Sequence, residues 1–467
     1  ADVRTDQTVL EYLREVRGLT GTKEACNEGD CGACVIAVGE YDGSRVQYRA
    51  MNSCLMPAPR LHGKHIVTVE GLADGEQLHP IQQAMVDQHA IQCGYCTPGI
   101  VMALFGLFQQ HPIPTQALIT EALDGSLCRC TGYAAIMKAA LSVADFCKTL
   151  QANSSHLQPD YFRDIARQMQ SSEFAPERSE INGHTESTYF VPADLNELFT
   201  LRKRYPDAVL LNGGTDIMVA ANTKGQKPPR VIDLSSIKEF DRITETESGV
   251  RIGAHATIND VIGNLTIQQR FPALHSAAGQ MCSTPVRNSA TVVGNICTAS
   301  PIADTIPVLL VYGAEVVLQS SSGTRRLSLR EYFIGYRKTA LRNDEELVSV
   351  EIPFTDYLAS FEKTGKRKVQ DIASVNSAIA LKLANGTITD VRLAYGGVAA
   401  VPFWAEQTCR FLSGRPLSEA LIREAAEIIA GEITPMDDVR GSAEFRRRLA
   451  ANHLIKHFAR LVPTLFE

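Results

Sequence analysis

The chain has 467 residues, room for about three domains, and its 45% hydrophobic content supports packed cores and excludes a disordered protein. A formal net charge of −6 and a pI near 6.0 give no reason to expect a nucleic-acid partner. No apolar run reaches the ~18 residues needed to cross a bilayer, so no membrane partner is expected either.

Residues 1–75 alternate short apolar runs with Gly and Asp turns. Val35-Ile36-Ala37-Val38, the run around Val46-Gln47-Tyr48, and Ile66-Val67-Thr68-Val69 are predicted strands. A short helix is predicted over Thr8 to Glu15. From 79 to 150 the period changes: Ile100, Ala103, Leu104, Leu107 and Phe108 recur at helical spacing behind Pro98, which suits a helix start. Ile136, Ala139, Ala140, Val143 and Cys147 make a second helical stripe. Shorter helices near Pro80–His89 and Thr115–Leu123 complete a four-helix unit. Residues 151–188 are polar and read as a linker. Strands and helices then mix. The apolar run Thr305 to Val317 holds Pro307, Tyr312 and Gly313 and reads as core. A strand-rich stretch reaches Gly396, and helices follow from Ser418. Arg446-Arg447-Arg448 reads as the wet face of a helix.

Eight of the twelve cysteines fall into two sets of four. The first is Cys26-x4-Cys31-x2-Cys34 with Cys54 nineteen residues on, the plant-type spacing for a [2Fe–2S] centre. Such a centre is anionic and needs backbone N–H groups aimed at sulfur. Structural zinc prefers two C-x2–4-C pairs and fits this set poorly. The second set is Cys93-x2-Cys96 with Cys128-x-Cys130. By itself it could also be a redox dithiol or half a zinc site; beside the first set it reads as a second [2Fe–2S] centre. Cys96 and Cys130 each precede a predicted helix start, where the positive helix end favours an anionic cluster. Cys147, Cys282, Cys297 and Cys409 read as small buried apolar residues. Thiolate ligands need a reducing compartment, so the expected location is cytoplasmic, and the N-terminus lacks a secretion-signal pattern.

Val209-Leu210-Leu211 is a predicted strand running into Asn212-Gly213-Gly214-Thr215-Asp216-Ile217 and an apolar-periodic helix. Strand, Gly turn, helix is a general way to seat phosphates on N–H groups. It is neither G-x-G-x-x-G nor a P-loop, and taken alone it is also an ordinary tight turn. A second Gly turn lies at Thr291-Val292-Val293-Gly294-Asn295, followed by Ser300-Pro301-Ile302-Ala303-Asp304.

The two cysteine sets, Gln92-Cys-Gly-Tyr-Cys-Thr-Pro-Gly99 and Leu127-Cys-Arg-Cys-Thr-Gly-Tyr133 together resemble the xanthine dehydrogenase branch of the molybdenum hydroxylases, specifically the small subunit that joins iron–sulfur and flavin regions. The resemblance covers nearly the whole chain. It implies a multidomain α+β protein: a β-grasp [2Fe–2S] ferredoxin domain (1–76), a helical four-helix [2Fe–2S] domain (77–152), a linker (153–186), an α+β FAD-binding domain (187–356) and a C-terminal α+β flavoprotein domain (357–467). It implies FAD contacts at Leu210 to Ile217, at Thr291 to Asn295, and at Asp304, Leu347 and Lys363. Met281 stands where the family often has an aromatic residue, and Tyr395-Gly396-Gly397 resembles a segment on the nicotinamide side of the flavin. The family has a strand and turn before the region of Val3, so the ferredoxin sheet is expected to lack its opening hairpin or to be trimmed.

The resemblance further implies a partner: a large subunit carrying a molybdopterin cofactor and the substrate pocket, in an (αβ)2 heterotetramer. Electrons would pass through both clusters to FAD and then to NAD+, in oxidation of xanthine or hypoxanthine to urate, with no catalytic acid, base or nucleophile in this chain. The same role in an aldehyde or other N-heterocycle hydroxylase is the alternative. A non-catalytic, metal-bound redox sensor or scaffold is the reading from another class.

Overall fold

The computed structural model of the chain describes residues 4–170, 181–182, 188–240 and 242–466. It is a multidomain α+β protein and divides into two compact units. One holds the chain up to Ala193 with Thr200–Ser236 and Cys282–Ser289; the other holds Asp194–Phe199, Ile237–Met281 and the chain from Ala290 onward.

In the first unit, strand Val35–Tyr41 lies between Val46–Asn52 and His65–Val67, antiparallel to both. Its start is apolar at every position because both faces are covered. Val35 and Ala37 enter a core with Tyr48, Ala50 and Phe105, while Ile36 and Val38 enter another with Val9, Leu13 and Met56. Helix Thr97–Gln110 buries ten of its fourteen residues and is therefore apolar nearly all round. Pro80–Asp87, Gln116–Leu123 and Ala134–Thr149 complete the expected helical unit. The predicted helix near Thr8 forms as Val9–Glu11, closed by a Thr8–Glu11 capping box, and continues as a wider turn over Tyr12–Val16.

The stretch read as linker is less uniform than its composition. Leu157 and Phe162, 1% and 6% exposed, anchor its first part in the core beside Tyr48 and Phe105. Residues 171–180 and 183–187 of that stretch, like Val3, lie outside the described residues.

A second sheet of this unit runs in the order Ile181–Asn182, Thr188–Phe190, Arg230–Asp233, Val209–Leu211, the last three parallel. Helix Thr215–Lys224 is the crossover between Val209–Leu211 and Arg230–Asp233. The Asn212–Gly214 turn thus sits at the carboxyl end of a parallel strand, where open α/β sheets bind ligands.

The second unit contains a five-stranded antiparallel sheet, in the order Gly323–Ser328, Glu315–Ser320, Glu346–Pro353, Gly249–Gly253, Ile243–Glu245. Helix Thr305–Val311 is wholly buried, as the Pro- and Gly-interrupted apolar run requires. The strands Leu358–Thr364, Val375–Ala384, Thr387–Gly396 and Phe403–Trp404 form another sheet. Helices Glu406–Leu412, Glu419–Glu432 and Ala443–Leu461 share its core through Leu412, Ile422, Ile429, Leu454 and Phe458. Arg446 corrects the wet-face reading. It is 4% exposed, and donates from Nη1 to the carbonyls of Ser374 (2.6 Å) and Gly397 (2.8 Å); only Arg447 and Arg448 face solvent. Among the described residues no helix is long and apolar enough to cross a membrane.

Candidate iron–sulfur and flavin sites

The first cysteine quartet is built from a loop and a strand end. Cys34 opens strand Val35–Tyr41 and Cys54 lies in the turn Ser53–Leu55 that ends the neighbouring strand. Ser53 ties the two by donating from Oγ to the Cys34 carbonyl at 2.7 Å. The Cys34 and Cys54 sulfurs are 3.3 Å apart and almost wholly buried. Asn52 Nδ2 donates to Cys34 Sγ at 3.6 Å, and the Glu28 N–H to Cys26 Sγ at 3.5 Å. A hydrogen bond from Cys31, against the opposing cost of burial, together with the N–H groups of Glu28, Asp30 and Cys31, brings the Cys26 thiol down to about 5. Cys54, burial opposing, and the Asn52 amide bring Cys34 to about 7. Donors converging on sulfur in this way suit iron-bound thiolates.

The second quartet is more exposed. Cys93 and Cys130 face solvent with their sulfurs 3.5 Å apart, while Cys96 and Cys128 are half-buried and adjoin each other. Cys96 caps helix Thr97–Gln110, and Tyr133, with φ 68°, caps Ala134–Thr149. The Tyr133 hydroxyl accepts the Cys128 N–H at 2.7 Å and donates to the Ser126 carbonyl at 3.1 Å; Thr131 Oγ1 lies 3.1 Å from Cys128 Sγ. These contacts explain why Thr and Tyr accompany the cysteines in that motif.

Among the described residues no three His, Cys, Asp or Glu side chains converge on one point as a single metal ion would require. The sulfurs come in twos instead. That pairing suits a two-iron cluster held by four thiolates. The quartets also adjoin. The N–H of Leu127, beside Cys128, donates to the Cys31 carbonyl at 2.9 Å, and Tyr95 donates from its hydroxyl to the Glu24 carbonyl. Helix Thr97–Gln110 comes so close to the first loop that a Cβ on Gly99 would stand 2.0 Å from the Gly32 carbonyl oxygen. Of the other cysteines, Cys147 and Cys409 are buried as expected, Cys282 is half-buried, and Cys297 is exposed.

The FAD segments named from the sequence divide between the two units. In the first, Gly214 (φ 80°) is the N-cap of helix Thr215–Lys224. It has no side chain to cap the first-turn N–H groups, so an anion such as a pyrophosphate fits that end. Arg60 fixes the turn from behind: its guanidinium donates to the carbonyls of Leu211 (3.3 Å) and Asn212, and forms a bidentate pair with Asp233 at 2.7 and 2.8 Å. Burial opposes charge on Asp233, yet Arg60 and the donating Tyr189 hydroxyl still hold its carboxyl below the ordinary value.

In the second unit, Thr291 caps helix Val292–Thr298 by accepting the Gly294 N–H at 3.0 Å, and Asn295 accepts from the Thr305 hydroxyl at 2.6 Å. Asp304 and Lys363 meet in an ion pair of 2.6 Å, their side chains 9% and 6% exposed. Asn376 Nδ2 donates to Asp304 at 2.7 Å, and the Gly397 N–H donates to the Pro301 carbonyl at 2.8 Å. Asp304, Lys363 and the Gly396–Gly397 turn therefore form one cluster. Leu347 is 4% exposed, in strand Glu346–Pro353. Sequence reading missed Arg60 and Asn376, whose partners are remote in the chain and leave no local pattern.

Comparison with known proteins bears on the same segments. Residues 1–59 match the 2Fe-2S iron-sulfur cluster binding domain family and 68–141 the [2Fe-2S] binding domain family. Residues 183–355 match the FAD binding domain in molybdopterin dehydrogenase, and 360–461 the CO dehydrogenase flavoprotein C-terminal domain. The chain is 31% identical to xanthine dehydrogenase/oxidase of Gallus gallus and 31% identical to aldehyde oxidase 2 of Cavia porcellus, in each case over 99% of this chain and 39% of the relative. It thus spans about two fifths of the length of these relatives. A chain of carbon monoxide dehydrogenase from Hydrogenophaga pseudoflava superposes with a TM-score of 0.57 and 26% identity, over 59% of this chain and 97% of that one. With two [2Fe–2S]-binding domains, an FAD-binding domain and the flavoprotein C-terminal domain in this order, the chain belongs to the molybdenum hydroxylase family as its iron–sulfur and flavin portion.

Proposed function

We propose that this chain is the electron-transfer subunit of a xanthine dehydrogenase-type enzyme, carrying electrons from a molybdenum cofactor on a larger partner chain to FAD and then NAD+. Cys93, Cys96, Cys128 and Cys130 would hold the cluster nearer that partner; Cys26, Cys31, Cys34 and Cys54 would hold the other. Leu210 to Ile217, Thr291 to Asn295, Asp304, Leu347 and Lys363 are the proposed FAD contacts. When bound, the clusters supply single-electron transfer and the flavin the junction between one- and two-electron chemistry.

The observation that carries this reading is the hydrogen bond from Leu127 to the Cys31 carbonyl. It closes an unbroken chain of bonds from the Cys128 thiol to the Cys31 thiol. The residues between the quartets need move no proton; they fix separation. The partner is supported by exposure. Tyr95, Leu127 and Tyr133, 37–51% exposed, lie in the same motifs as the solvent-facing Cys93 and Cys130, as a surface awaiting another chain would. An (αβ)2 assembly and a cytoplasmic location, where thiolates stay reduced, complete the reading.

Xanthine and aldehyde oxidation are separated by the partner's pocket, and the equal identity to a xanthine and an aldehyde enzyme keeps the second substrate class in play. Co-purification with a large chain, followed by turnover of xanthine against an aldehyde, tests this. The proposed outcome is xanthine turnover with stopped-flow reoxidation of the reduced flavin by NAD+. Aldehyde turnover alone transfers the role to the second class, and loss of yellow cofactor and iron together contradicts both.

A further inference from the structure

Helix Thr215–Lys224 does more than seat the Gly213–Gly214 turn at its start. Met218 and Asn222, one turn apart, lie on the same side of it. Met218 packs in an apolar cluster with Leu10, Cys34, Cys54 and Leu55, so this side of the helix lies against the first cysteine quartet. Asn222 Nδ2 donates to the Asn27 carbonyl at 2.9 Å and to the Cys54 carbonyl at 2.8 Å. A side-chain amide has two donor hydrogens, and here both serve carbonyls of the quartet's own segments.

The two acceptors matter for the sulfurs. Cys54 is itself a proposed ligand. Asn27 follows Cys26 and holds φ at 56°, a left-handed conformation that Asn adopts more readily than other non-glycine residues and that turns its peptide toward the quartet. The Asn27 carbonyl and the Glu28 N–H belong to one peptide unit and point in opposite directions. Asn222 holds the carbonyl end, and the N–H end donates to Cys26 Sγ at 3.5 Å. Donation into the carbonyl also polarises that peptide, which strengthens its N–H as a donor.

We propose that Asn222 is a positioning residue for the cluster at Cys26, Cys31, Cys34 and Cys54. By pinning the Asn27 and Cys54 carbonyls it aims an N–H dipole at sulfur and raises the reduction potential of that cluster. The sign follows from charge. Reduction adds an electron to an anionic centre, and hydrogen bonds to its sulfurs stabilise the more negative state. Without Asn222 two carbonyl dipoles beside the cluster lose their counterpart and the peptide at Asn27 is free to turn. The residue lies eight positions along the helix from Gly214, about 12 Å. One helix thus ends at the proposed flavin turn and tunes the centre that would feed it. This inference rests on the electron-transfer reading above.

The test is an anaerobic potentiometric titration of the full chain, reconstituted with iron, sulfide and FAD and followed by electron paramagnetic resonance. Cys31→Ser and Cys96→Ser, each altering one signal, assign the two clusters. Asn222→Leu removes both donors, and the isosteric Asn222→Asp replaces them with acceptors. Both are expected to lower the potential of the Cys31-dependent cluster, shifting its redox equilibrium about tenfold, or about 59 mV for one electron. The Cys96-dependent cluster and the FAD content stay at the wild-type level. Selective loss of the Cys31-dependent signal in these variants also supports the proposal. Unchanged potentials, or equal movement of both clusters, overturn it. If Asn222→Leu fails to fold by circular dichroism, Asn222→Ser, which keeps one weaker donor, decides by the same criterion. A wild-type chain that binds no pair of [2Fe–2S] clusters overturns the electron-transfer reading itself, and is seen before any variant is measured.

Discussion

Sulfur pairs recur in both candidate centres. Cys34 with Cys54 and Cys93 with Cys130 stand 3.3 and 3.5 Å apart, so each pair suits one iron of a two-iron cluster. Replacing one member should remove one cluster only: Cys96→Ser is expected to lower iron from about four to about two per chain, with the Cys31-dependent signal retained. Iron unchanged after that substitution would contradict the ligand assignment. Arg60 offers a second test. Arg60→Met leaves Asp233 buried without its cation, which costs about 3–5 kcal/mol, and releases the carbonyls behind the Gly turn. We expect a lower urea midpoint and weaker FAD retention. Adding Asp233→Asn should restore most of the stability; no recovery would mean that the pair acts otherwise. That these cysteines come together was legible in the sequence because most of their spacing is local. Arg60 and Asn222 were not, since their partners lie 151 to 195 residues away. Arg446 was misread because three successive arginines look solvated until the Ser374 and Gly397 carbonyls are brought to one of them.

Most elements could be predicted because period and punctuation agreed. The four-residue apolar run at Val35 became a strand covered on both faces, and Pro98 stands in the first turn of a helix starting at Thr97. Contacts between elements were hidden. Gly99 reads as an ordinary helix glycine until Gly32 is found against it, and Gly99→Ala is expected to cost at least the ~1–3 kcal/mol of overpacking, because the obstacle is backbone. Thermal unfolding checks this; an unchanged midpoint would refute the close approach.

A second hidden feature joins helix Ala443–Leu461 to its sheet. Ser360 Oγ lies 2.6 Å from His457 Nδ1, Ser377 Oγ 2.8 Å from His457 Nε2 and 2.9 Å from His453 Nδ1, and Thr364 Oγ1 2.8 Å from His453 Nε2. Burial, with nearby Lys456, pushes His453 down to about 4; burial, His453, Arg460 and Lys456 push His457 well below its ordinary value. Both rings stay neutral in the fold while the unfolded chain takes protons below about 6.5. Their contribution is therefore complete above that pH and is lost as pH falls towards 4, about 3 kcal/mol for His453. Urea midpoints measured from pH 7 to 5 should fall, and fall less for His453→Asn. Equal slopes for the two proteins would show that His453 does not set the acid sensitivity.

At the scale of the whole molecule, order along the chain carried the reading: ferredoxin-like, helical, FAD-binding and C-terminal families match in that sequence. Substrate did not follow, because the chain spans 39% of relatives that differ in the names of what they oxidise. The compact units also cut across the order of the sequence: Thr200–Ser236 and Cys282–Ser289 group with the N-terminal region, through contacts that no local pattern announces. The most direct test of the central claim is iron, acid-labile sulfide and flavin analysis of the anaerobically purified chain, with paramagnetic resonance during stepwise reduction. We predict about four irons per chain, bound FAD and two distinct [2Fe–2S] signals. Zinc in place of iron, or a colourless chain with neither signal, would contradict the claim.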